Sequence, residues 1–309
     1  MTRGGRVWII LNPIAGRGAA DRARPVLQRL LDQWQRTDDS VHIEFIETHH
    51  RGHAERIAAS AINAGADLVV AAGGDGTLVE VAAALKGSGA CVGLIPLGTG
   101  NDFARALGIP RTLLGALHTL RHGSVIEIDL GVWPNGYFIN AAGCGLDAAV
   151  AARVNHGIRH MSGTWAYLAA LIAELRIFRP SDITVDIDGR RIECRAMLCA
   201  VANGISYGGG MRIAPNARYD DGMLDICIVR ECSLAEFAWA FPRVYLGAHQ
   251  HHPKVIMEQG SHVRIEADPP LPVHIDGEAF GATPLDCTTM PRALRMIVPP
   301  KDRAAARRR

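Results

Sequence analysis

The first third of the chain alternates between short apolar runs and segments whose apolar residues recur at helical spacing. Four apolar runs predict buried strands, and they occupy residues 6–12, 42–48, 67–72 and 91–97. A helical repeat that includes Val26, Leu27, Leu30 and Leu31 follows the first run, and a second helix is predicted over 52–64. This alternation predicts a parallel sheet with helices on both faces and a ligand site beyond the carboxyl ends of its strands.

After about residue 124 the pattern changes to extended runs and hairpin signals. The extended runs occupy residues 124–132, 137–142, 182–188, 190–202, 223–229, 262–267 and 295–298. One helix is predicted among them, from Ser162 to Phe178. Its apolar stripe comprises Trp165, Leu168, Leu171, Ile172 and Leu175. We expect this stripe to pack in the core, with lipid contact as the alternative.

These patterns predict the α/β fold class, with an N-terminal parallel α/β domain and a mainly antiparallel β domain after it. We place the two domains at residues 1–124 and 125–292. The segment 293–309 is expected to return a terminal strand, near 294–298, to the first domain and then to end in a basic tail. We expect this tail to be solvated, and attraction of its positive charge to anionic lipid is the alternative.

Composition narrows the classes of function. The 309 residues carry a net charge of +2, which is too small for a nucleic-acid-binding field, so no nucleic-acid partner is predicted. Seven cysteines without a Cys-x-x-Cys pair indicate reduced thiols in a cytoplasmic protein. Neither a signal peptide nor an apolar segment of about 18 residues is visible. If the protein acts on a membrane component, we therefore expect it to do so as a peripheral protein at the inner membrane surface.

The glycine-rich turn at 73–77 stands between the third predicted strand and a helical pattern. Its three glycines are expected to adopt positive φ and to approach a ligand closely, and the amides at the helix start favour a phosphate. Asp75 would hold a cation beside that phosphate. In the structural alternative, Thr77 caps the helix and Glu80 completes a capping box.

The loops after the first and fourth predicted strands, 13–18 and 98–103, are glycine-rich as well. Three phosphate-binding candidates should therefore meet at one edge of the sheet, although Thr99 with Asp102 again matches a capping box. None of the three lysines lies in a Walker loop or on a kinase-type strand, which disfavours both of those sites.

Other patterns carry less weight. Gly204–Gly208 matches a nucleophile elbow but no helix pattern follows it, and Gly143–Ala148 is a weak dinucleotide signal. Two groups of histidines lack partner ligands at metal-binding spacing and are expected to be exposed or to cap helices. They are His49, His50 and His53, and His249, His251 and His252.

Six motifs follow one another along nearly the whole chain. They are Asn12-Pro13 with Gly16, Gly73–Thr77 with Glu80, Pro96–Ala104, Asn140–Ala148, Asp220–Asp225 and Asp276–Glu278. This set resembles the diacylglycerol kinase catalytic domain family, and it is most similar to the soluble bacterial lipid kinases. The Gly-Gly-Asp-Gly-Thr motif alone would not separate this family from NAD kinases or 6-phosphofructokinases, whereas the later motifs do.

The resemblance implies ATP-dependent transfer of a γ-phosphoryl group to a lipid hydroxyl in a cleft between the two domains. Thr48 matches through a short pattern only. By motif match, the nucleotide positions are Asn12, Pro13, Gly16, Thr48, Gly73, Gly74, Asp75, Gly76, Thr77, Glu80, Thr99, Asn101 and Asp102.

The resemblance also implies Mg²⁺. Asp221, with the carbonyls of Arg218 and Met223, falls on the family's structural magnesium site. Asp75 and Asp102 would help to hold the catalytic magnesium, directly or through water. From the residues alone, Asp220–Gly222 could equally be only a turn before a strand.

The catalytic base implied by the resemblance is Glu278 or its neighbour Asp276. The residues alone predict a hairpin turn there, because Asp276-Gly277 lies between extended runs. Asp188-Gly189 gives the same turn signal without any assigned chemistry. The pattern therefore cannot separate a catalytic turn from a structural one.

Diacylglycerol, which would give phosphatidic acid, is the leading acceptor. Sphingoid bases, ceramide and other lipid alcohols are alternatives. An NAD kinase and a lipid or nucleotide binding module without turnover are the other hypotheses. The sequence leaves the acyl chain and the oligomeric state open, and a homodimer is compatible with it.

Overall fold

The computed structural model describes residues 5–155 and 164–300, which form two compact units. The first unit comprises the described residues up to Ile128 and those from Arg292 onwards, and the second comprises Asp129–Pro291. Two strands each contribute residues to both units. They are β5 (Ser124–Trp133) and β15 (Leu285–Val298). None of the described helices has the length and apolar composition needed to cross a membrane.

The first unit is built on a parallel sheet with the strand order β2-β1-β3-β4. These strands are β1 (Gly5–Leu11), β2 (Val41–Glu47), β3 (Leu68–Gly73) and β4 (Cys91–Pro96). Arg295 and Met296 of β15 pair in parallel with the outer side of β4. The register aligns the strand ends, so that β1, β3 and β4 finish at the same edge.

Five helices connect the strands of this unit. They are α1 (Ala15–Thr37), α2 (His53–Asn63), α3 (Asp75–Leu85), α4 (Asp102–Ala106) and α5 (Leu113–His122). Strand β3 is buried along its whole length, as its uninterrupted apolar run predicts for a central parallel strand. Leu27 and Leu31 of α1 are buried against the sheet, whereas Val26 is exposed.

The second unit is mainly antiparallel. Its other strands are β6 (Gly136–Phe138), β7 (Ala141–Gly145), β8 (Ser181–Ile187), β9 (Arg190–Ala202), β10 (Leu224–Arg230), β11 (Val255–Gly260), β12 (His262–Asp268), β13 (Pro272–Ile275) and β14 (Glu278–Ala282). The order β14-β13-β7-β9-β8-β12 is antiparallel at each step, and β10 joins β9 to β11.

Helices cover part of this unit. They are α6 (Leu146–Asn155), α7 (Thr164–Leu175), α8 (Leu234–Ala240) and two 3₁₀ helices, η1 (Phe241–Leu246) and η2 (Ala248–His251). The architecture of both units confirms the predicted fold class. All seven cysteines, which lie within the described residues, are free thiols.

Several local predictions differ from the structure. Strand β11 was not predicted, and β13 and β14 were anticipated only as the extended runs beside the Asp276-Gly277 turn, because each of the three is short and mixes polar residues, glycine or proline into its apolar pattern. His249 was expected to be exposed or to cap a helix, but it is buried and its Nε2 lies 3.1 Å from the Ile213 carbonyl oxygen.

The predicted helix over 162–178 corresponds to α7. Its predicted start at Ser162, and the side chains of Trp165 and Leu168, lie outside the described residues. Leu171 is buried, while Ile172 is 48% exposed, so the predicted stripe is only partly in the core. The predicted basic tail and leader-free N-terminus likewise lie outside the described residues.

Candidate active site

Three loops meet at the carboxyl edge of the parallel sheet in the first unit. The backbone N–H of Asn12 donates to the Ala72 carbonyl oxygen at 3.0 Å, and the backbone N–H of Leu97 donates to the Gly73 carbonyl oxygen at 2.8 Å. The Asn12 side chain then crosses to the next loop, where its Nδ2 donates to Thr77 Oγ1 at 3.0 Å. The loops after β1, β3 and β4 are therefore joined to one another by hydrogen bonds.

The glycines of the central turn serve close packing. Gly73, Gly74 and Gly76 all lack positive φ, so the prediction of positive φ at these residues was wrong. A Cβ at Gly98 would overlap the Cα of Gly74, which explains why both of these loops carry glycine. Positive φ occurs instead in the first loop, at Gly16, where a Cβ would also overlap the Leu97 carbonyl oxygen.

The predicted nucleotide positions differ in their exposure. Gly76 and Thr99 are exposed, while Asn12, Pro13 and Gly16 are partly buried. Thr48 is buried at the same edge, and its N–H donates to the Leu11 carbonyl oxygen at 2.8 Å. Open space surrounds the position that a Cβ at Gly76 would occupy, and this leaves the start of α3 accessible to a ligand.

Neither predicted capping box forms. Thr77 and Glu80 lie inside α3, whose first residue is Asp75 and whose N-cap is Gly74, a residue without a side chain to cap the helix. Glu80 instead reaches α2, where its two carboxylate oxygens accept from Gly52 N–H at 2.9 Å and Ala54 N–H at 3.0 Å. The second box fails as well, because α4 starts at Asp102 and no hydrogen bond from its own N-cap side chain caps it.

We expect Glu80→Ala to lower the free energy of unfolding by about 1–2 kcal/mol, because two amides at the start of α2 lose their acceptor. Thermal unfolding without nucleotide measures the effect. Glu44→Ala, at an exposed position of β2, is the control and should change stability by less than about 0.5 kcal/mol. Equal stability of the two variants would contradict the capping role.

Asp75 joins the second and third loops. Its Oδ2 accepts from Asp102 N–H at 3.2 Å and its Oδ1 accepts from Phe103 N–H at 3.1 Å, so this side chain caps α4. Asp102 itself is buried and pairs with Arg105. Burial, and then the adjacent Asp102 carboxylate, raise the pKa of Asp75.

Two neighbouring carboxylates in a partly buried site fit a cation, because a positive ion would offset both the burial and the repulsion. In the described ranges, no three His, Cys, Asp or Glu side chains gather into a metal-binding cluster. A cation at Asp75 and Asp102 would therefore depend on water and phosphate oxygens for its other ligands, as magnesium commonly does.

The second unit contains the other predicted chemistry. Asp276 and Gly277, with φ of 46° and 83°, form the tight turn between β13 and β14. The Asp276 carboxylate accepts three backbone N–H groups at 2.8–3.0 Å, from Ile139, Asn140 and Ala141. Glu278 follows the turn, is partly buried and pairs with Ile275 in the ladder.

The Asp188-Gly189 turn has nearly the same geometry, with φ of 50° and 84°. Its aspartate also accepts hydrogen bonds from another segment, through Ser261 N–H and Oγ at 2.9 Å and His262 N–H at 3.0 Å. The prediction of a hairpin turn was correct for both pairs. In both turns the aspartate fixes the backbone, so the residue that differs chemically is Glu278.

A buried polar group stands next to the Asp276 turn. Asp147 Oδ2 accepts from Tyr207 Oη at 2.9 Å and contacts His274 Nε2 at 3.0 Å. Gly277 N–H donates to His274 Nδ1 at 3.4 Å, so Nε2 is the ring nitrogen whose N–H donates a hydrogen bond to Asp147 Oδ2. Sequence reasoning did not assign these three residues, although Asp147 lies inside the quoted Asn140–Ala148 motif.

The predicted structural magnesium loop is a turn. Asp221 is exposed, and its Oδ1 accepts from Met223 N–H at 3.1 Å. The next residue along, Gly222, donates its N–H to the buried Asp129 at 2.7 Å. Asp129 was also missed by sequence reasoning, although an acidic residue flanked by apolar residues in a predicted strand is a recognisable signal.

The residues of this loop fit a hard cation. One carboxylate and the carbonyls of Arg218 and Met223 are the oxygen ligands that Mg²⁺ and Ca²⁺ prefer. Burial raises the pKa of Asp225 to about 6. Repulsion from the Asp221 carboxylate also raises this pKa, while a hydrogen bond from Gln259 lowers it. The Asp225 Oδ2 is buried without a hydrogen-bond partner among the described residues, and a cation nearby would compensate it.

An apolar cavity lies within the second unit, with about 720 Å³ of empty space including its open mouth. Its walls include Leu171, Leu198, Met211, Phe237, Phe241 and Val244. Asp147 and Tyr207 also line it, while Glu236 and Lys254 form an ion pair of 2.9 Å at its polar part. The cavity therefore combines an apolar body with a small number of polar groups.

Comparison with known proteins gives two family matches. The family described as Diacylglycerol kinase catalytic domain matches residues 6–133, and the one described as YegS C-terminal NAD kinase beta sandwich-like domain matches residues 140–298. A diacylglycerol kinase of Bacillus subtilis (strain 168) is 32% identical over 299 residues, which cover 95% of this chain and 96% of that protein.

A diacylglycerol kinase of Staphylococcus aureus (strain JH9) is 31% identical over 296 residues, covering 95% of this chain and 92% of that protein. Among solved structures, a protein of Bacillus anthracis str. Sterne superposes on this chain with a TM-score of 0.78 at 24% identity, and the match covers 96% of each chain. A diacylglycerol kinase from the same organism gives a TM-score of 0.73 at 22% identity, over 96% of this chain and 98% of the other. At these identities the two superpositions establish the fold.

Proposed function

Because the chain belongs to the diacylglycerol kinase family and is thus a kinase with an alcohol acceptor, we propose that it phosphorylates the hydroxyl of a lipid, and that this lipid is diacylglycerol. Membership of a kinase family implies ATP as the phosphoryl donor. The observation that carries the choice of a lipid is the apolar cavity of the second unit, which would take an acyl chain.

The nucleotide phosphates would bind at the carboxyl edge of the parallel sheet. Backbone amides at the start of α3, together with Asn12 and Thr77, are the groups that would contact them. Magnesium, when bound, neutralises charge on the transferred phosphoryl group. Asp75 and Asp102 would hold this ion, and Asp221 with the carbonyls of Arg218 and Met223 would hold a structural one.

Glu278 is the residue that we propose as general base. Asp276 is the alternative from sequence, but its carboxylate already accepts three backbone amides. In the proposed step, the acceptor hydroxyl passes its proton to Glu278 as its oxygen forms the bond to the γ-phosphorus. The bond between that phosphorus and the bridging oxygen breaks, and ADP leaves.

The acceptor class can be tested directly on purified protein. ADP formation would be measured with diacylglycerol, sphingosine and ceramide in mixed micelles, and with NAD in solution. We expect turnover with diacylglycerol above the other lipids and none with NAD. Phosphorylation of NAD, with no phosphorylation of any lipid, would favour the NAD kinase hypothesis, which the description of the second matching family keeps open. Nucleotide binding without turnover would indicate a binding module.

The cavity can be tested with Ala240→Phe. Ala240 lines the cavity, so a phenyl ring there would occupy space that an acyl chain needs. We expect KM for long-chain diacylglycerol to rise about tenfold or more, because the excluded part of the chain loses about 0.8 kcal/mol per buried CH₂. Steady-state kinetics against acyl length measure this.

Ala238→Phe is the matched control, since Ala238 is exposed on the same helix and does not line the cavity. It should leave KM for every chain length unchanged. Equal effects of the two substitutions, or an Ala240→Phe effect that does not depend on acyl length, would contradict the proposed use of the cavity.

A further inference from the structure

The segment formed by α8 and η1, Leu234–Leu246, has two different faces. Phe237, Phe241 and Val244 follow one another at helical spacing and line the apolar cavity. Trp239 and Leu246, on the opposite side, are 60% and 77% exposed. Two large apolar side chains are therefore exposed on the segment whose other side lines the cavity.

Arg243 stands between these two residues in the sequence and contacts Trp239. Its guanidinium carbon is 3.4 Å from the centroid of a Trp239 ring, and its Nη1 donates to the Trp239 carbonyl oxygen at 2.5 Å. The arrangement fixes the indole and keeps a positive charge beside it. Tryptophan with arginine is the combination that suits the boundary between water and lipid.

The positive charge beside Trp239 comes from Arg243, and the acidic residue of α8, Glu236, is paired with Lys254. From Phe237 to Met257 the sequence contains no Asp or Glu, while it contains Arg243, Lys254 and three histidines. Lys254 is already paired with Glu236, which leaves Arg243 as the charge beside Trp239. A surface with exposed Trp and Leu and with positive charge complements an anionic bilayer.

The start of the segment is capped by its own side chains. Ser233 and Glu236 form a complete capping box, in which Ser233 Oγ accepts from Glu236 N–H at 3.2 Å and Glu236 accepts from Ser233 N–H at 2.7 Å. Lys254 and this capping lower the pKa of Glu236 to about 2, so the carboxylate stays ionised and the cap holds at neutral pH. The exposed residues are thus presented on a preformed helix.

We propose that the outer face of this segment, defined by Trp239, Arg243 and Leu246, docks on a membrane surface that contains anionic lipid. The segment would then lie between the bilayer and the cavity, with its inner face towards the acyl chain. The proposal rests on the lipid acceptor proposed above, because an acceptor that resides in a bilayer must be collected at its surface.

Co-sedimentation with vesicles tests the surface without any turnover. The full chain would be mixed with vesicles of phosphatidylcholine alone, or of phosphatidylcholine with phosphatidylglycerol. We expect binding to the anionic vesicles, weakened by salt. The double variant Trp239→Gln with Leu246→Gln should lower the partition coefficient at least tenfold. Arg243→Gln should lower it about fivefold on anionic vesicles only.

Leu114→Gln is the matched control, because Leu114 is a 69% exposed leucine on α5 of the first unit. Its partition coefficient should equal that of the unaltered protein. Circular dichroism and thermal unfolding would establish that every variant is folded. Unchanged vesicle binding by the double variant would overturn the proposal.

Kinetics separate this proposal from the proposed function. The double variant should keep its kcat/KM on a short-chain diacylglycerol dissolved as monomers, and lose activity only on diacylglycerol embedded in anionic vesicles. If no lipid is phosphorylated at all, the proposed function fails while the vesicle measurement still tests the surface. A second copy of the chain is the other conceivable occupant. A dimer in light scattering that the double variant abolishes, with unchanged vesicle binding, would assign the face to self-association.

Discussion

Replacing Asp75 with asparagine is expected to lower kcat by about 10²–10³-fold while leaving the protein folded. Asparagine has nearly the same shape, and its side-chain oxygen can still accept one of the two N–H groups of α4 that Asp75 caps. It removes the negative charge, which stands next to Asp102 where a magnesium ion is proposed. Turnover with diacylglycerol and thermal unfolding, measured on the same sample, separate the two roles.

Asp75→Ala should add a structural loss to the catalytic one. Both amides at the start of α4 then lose their acceptor, and we expect the free energy of unfolding to fall by about 1–2 kcal/mol. Thr112→Ala is the matched control, because Thr112 caps α5 in the same unit by accepting from Gly115 N–H at 3.2 Å. It should lose stability and keep kcat. Full turnover by Asp75→Asn would remove this residue from the mechanism.

The second large effect is expected at Glu278. Glu278→Gln should lower kcat by about 10²–10⁴-fold, because glutamine cannot accept the proton that the lipid hydroxyl gives up. The thermal unfolding temperature should not change, since glutamine preserves the size of the side chain. Activity should fall in the same proportion at every acyl length, which separates loss of the base from damage to the apolar cavity.

Asp276→Asn should behave differently. Its amide would turn a donor towards backbone N–H groups that now donate to a carboxylate, so stability should fall by about 1–3 kcal/mol, and activity with it. Asp188→Asn alters the equivalent turn that has no assigned chemistry and should lose stability without losing kcat. If Glu278→Gln and Asp276→Asn both kept full activity, the assignment of the base would be wrong.

Periodicity was sufficient to predict the parallel sheet. The apolar runs of β1, β3 and β4 are nearly continuous, because these strands are largely buried, and the loops after them meet because parallel strands end at the same edge of a sheet. The antiparallel unit was harder to predict. Strands β13 and β14 are only four and five residues long, and β13 pairs on its other side with β7, which lies far away in the sequence.

The partners of individual side chains could not be read from local spacing. Thr77 and Glu80 match a capping box in sequence, yet Glu80 caps a different helix, because the N-cap of α3 is Gly74, three residues before the Thr77 that the box requires. A local motif describes an interaction only if the helix starts where the motif assumes. Gly74, the N-cap of α3, packs against Gly98 of a separate loop, a contact that no local motif records.

The contacts between distant segments were also invisible in the sequence. Asp147 and His274 are separated by 127 residues and meet only because β13 pairs with β7. The two Asp-Gly turns illustrate the same limit, since their local sequence and geometry agree. Only the residue after each turn, Glu278 or Arg190, distinguishes them chemically.

The pairing of β15 with β4 has a consequence for the order of folding. Strand β4 ends at Pro96, but its outer neighbour, at Arg295 and Met296, is synthesised about two hundred residues later. On the ribosome, the N-terminal sheet therefore emerges with one parallel edge uncovered until nearly all of the second unit has been made. An uncovered edge can pair with other chains. The nascent chain is consequently most exposed to misassembly during this interval, and removal of the strand at 295–298 would make that exposure permanent.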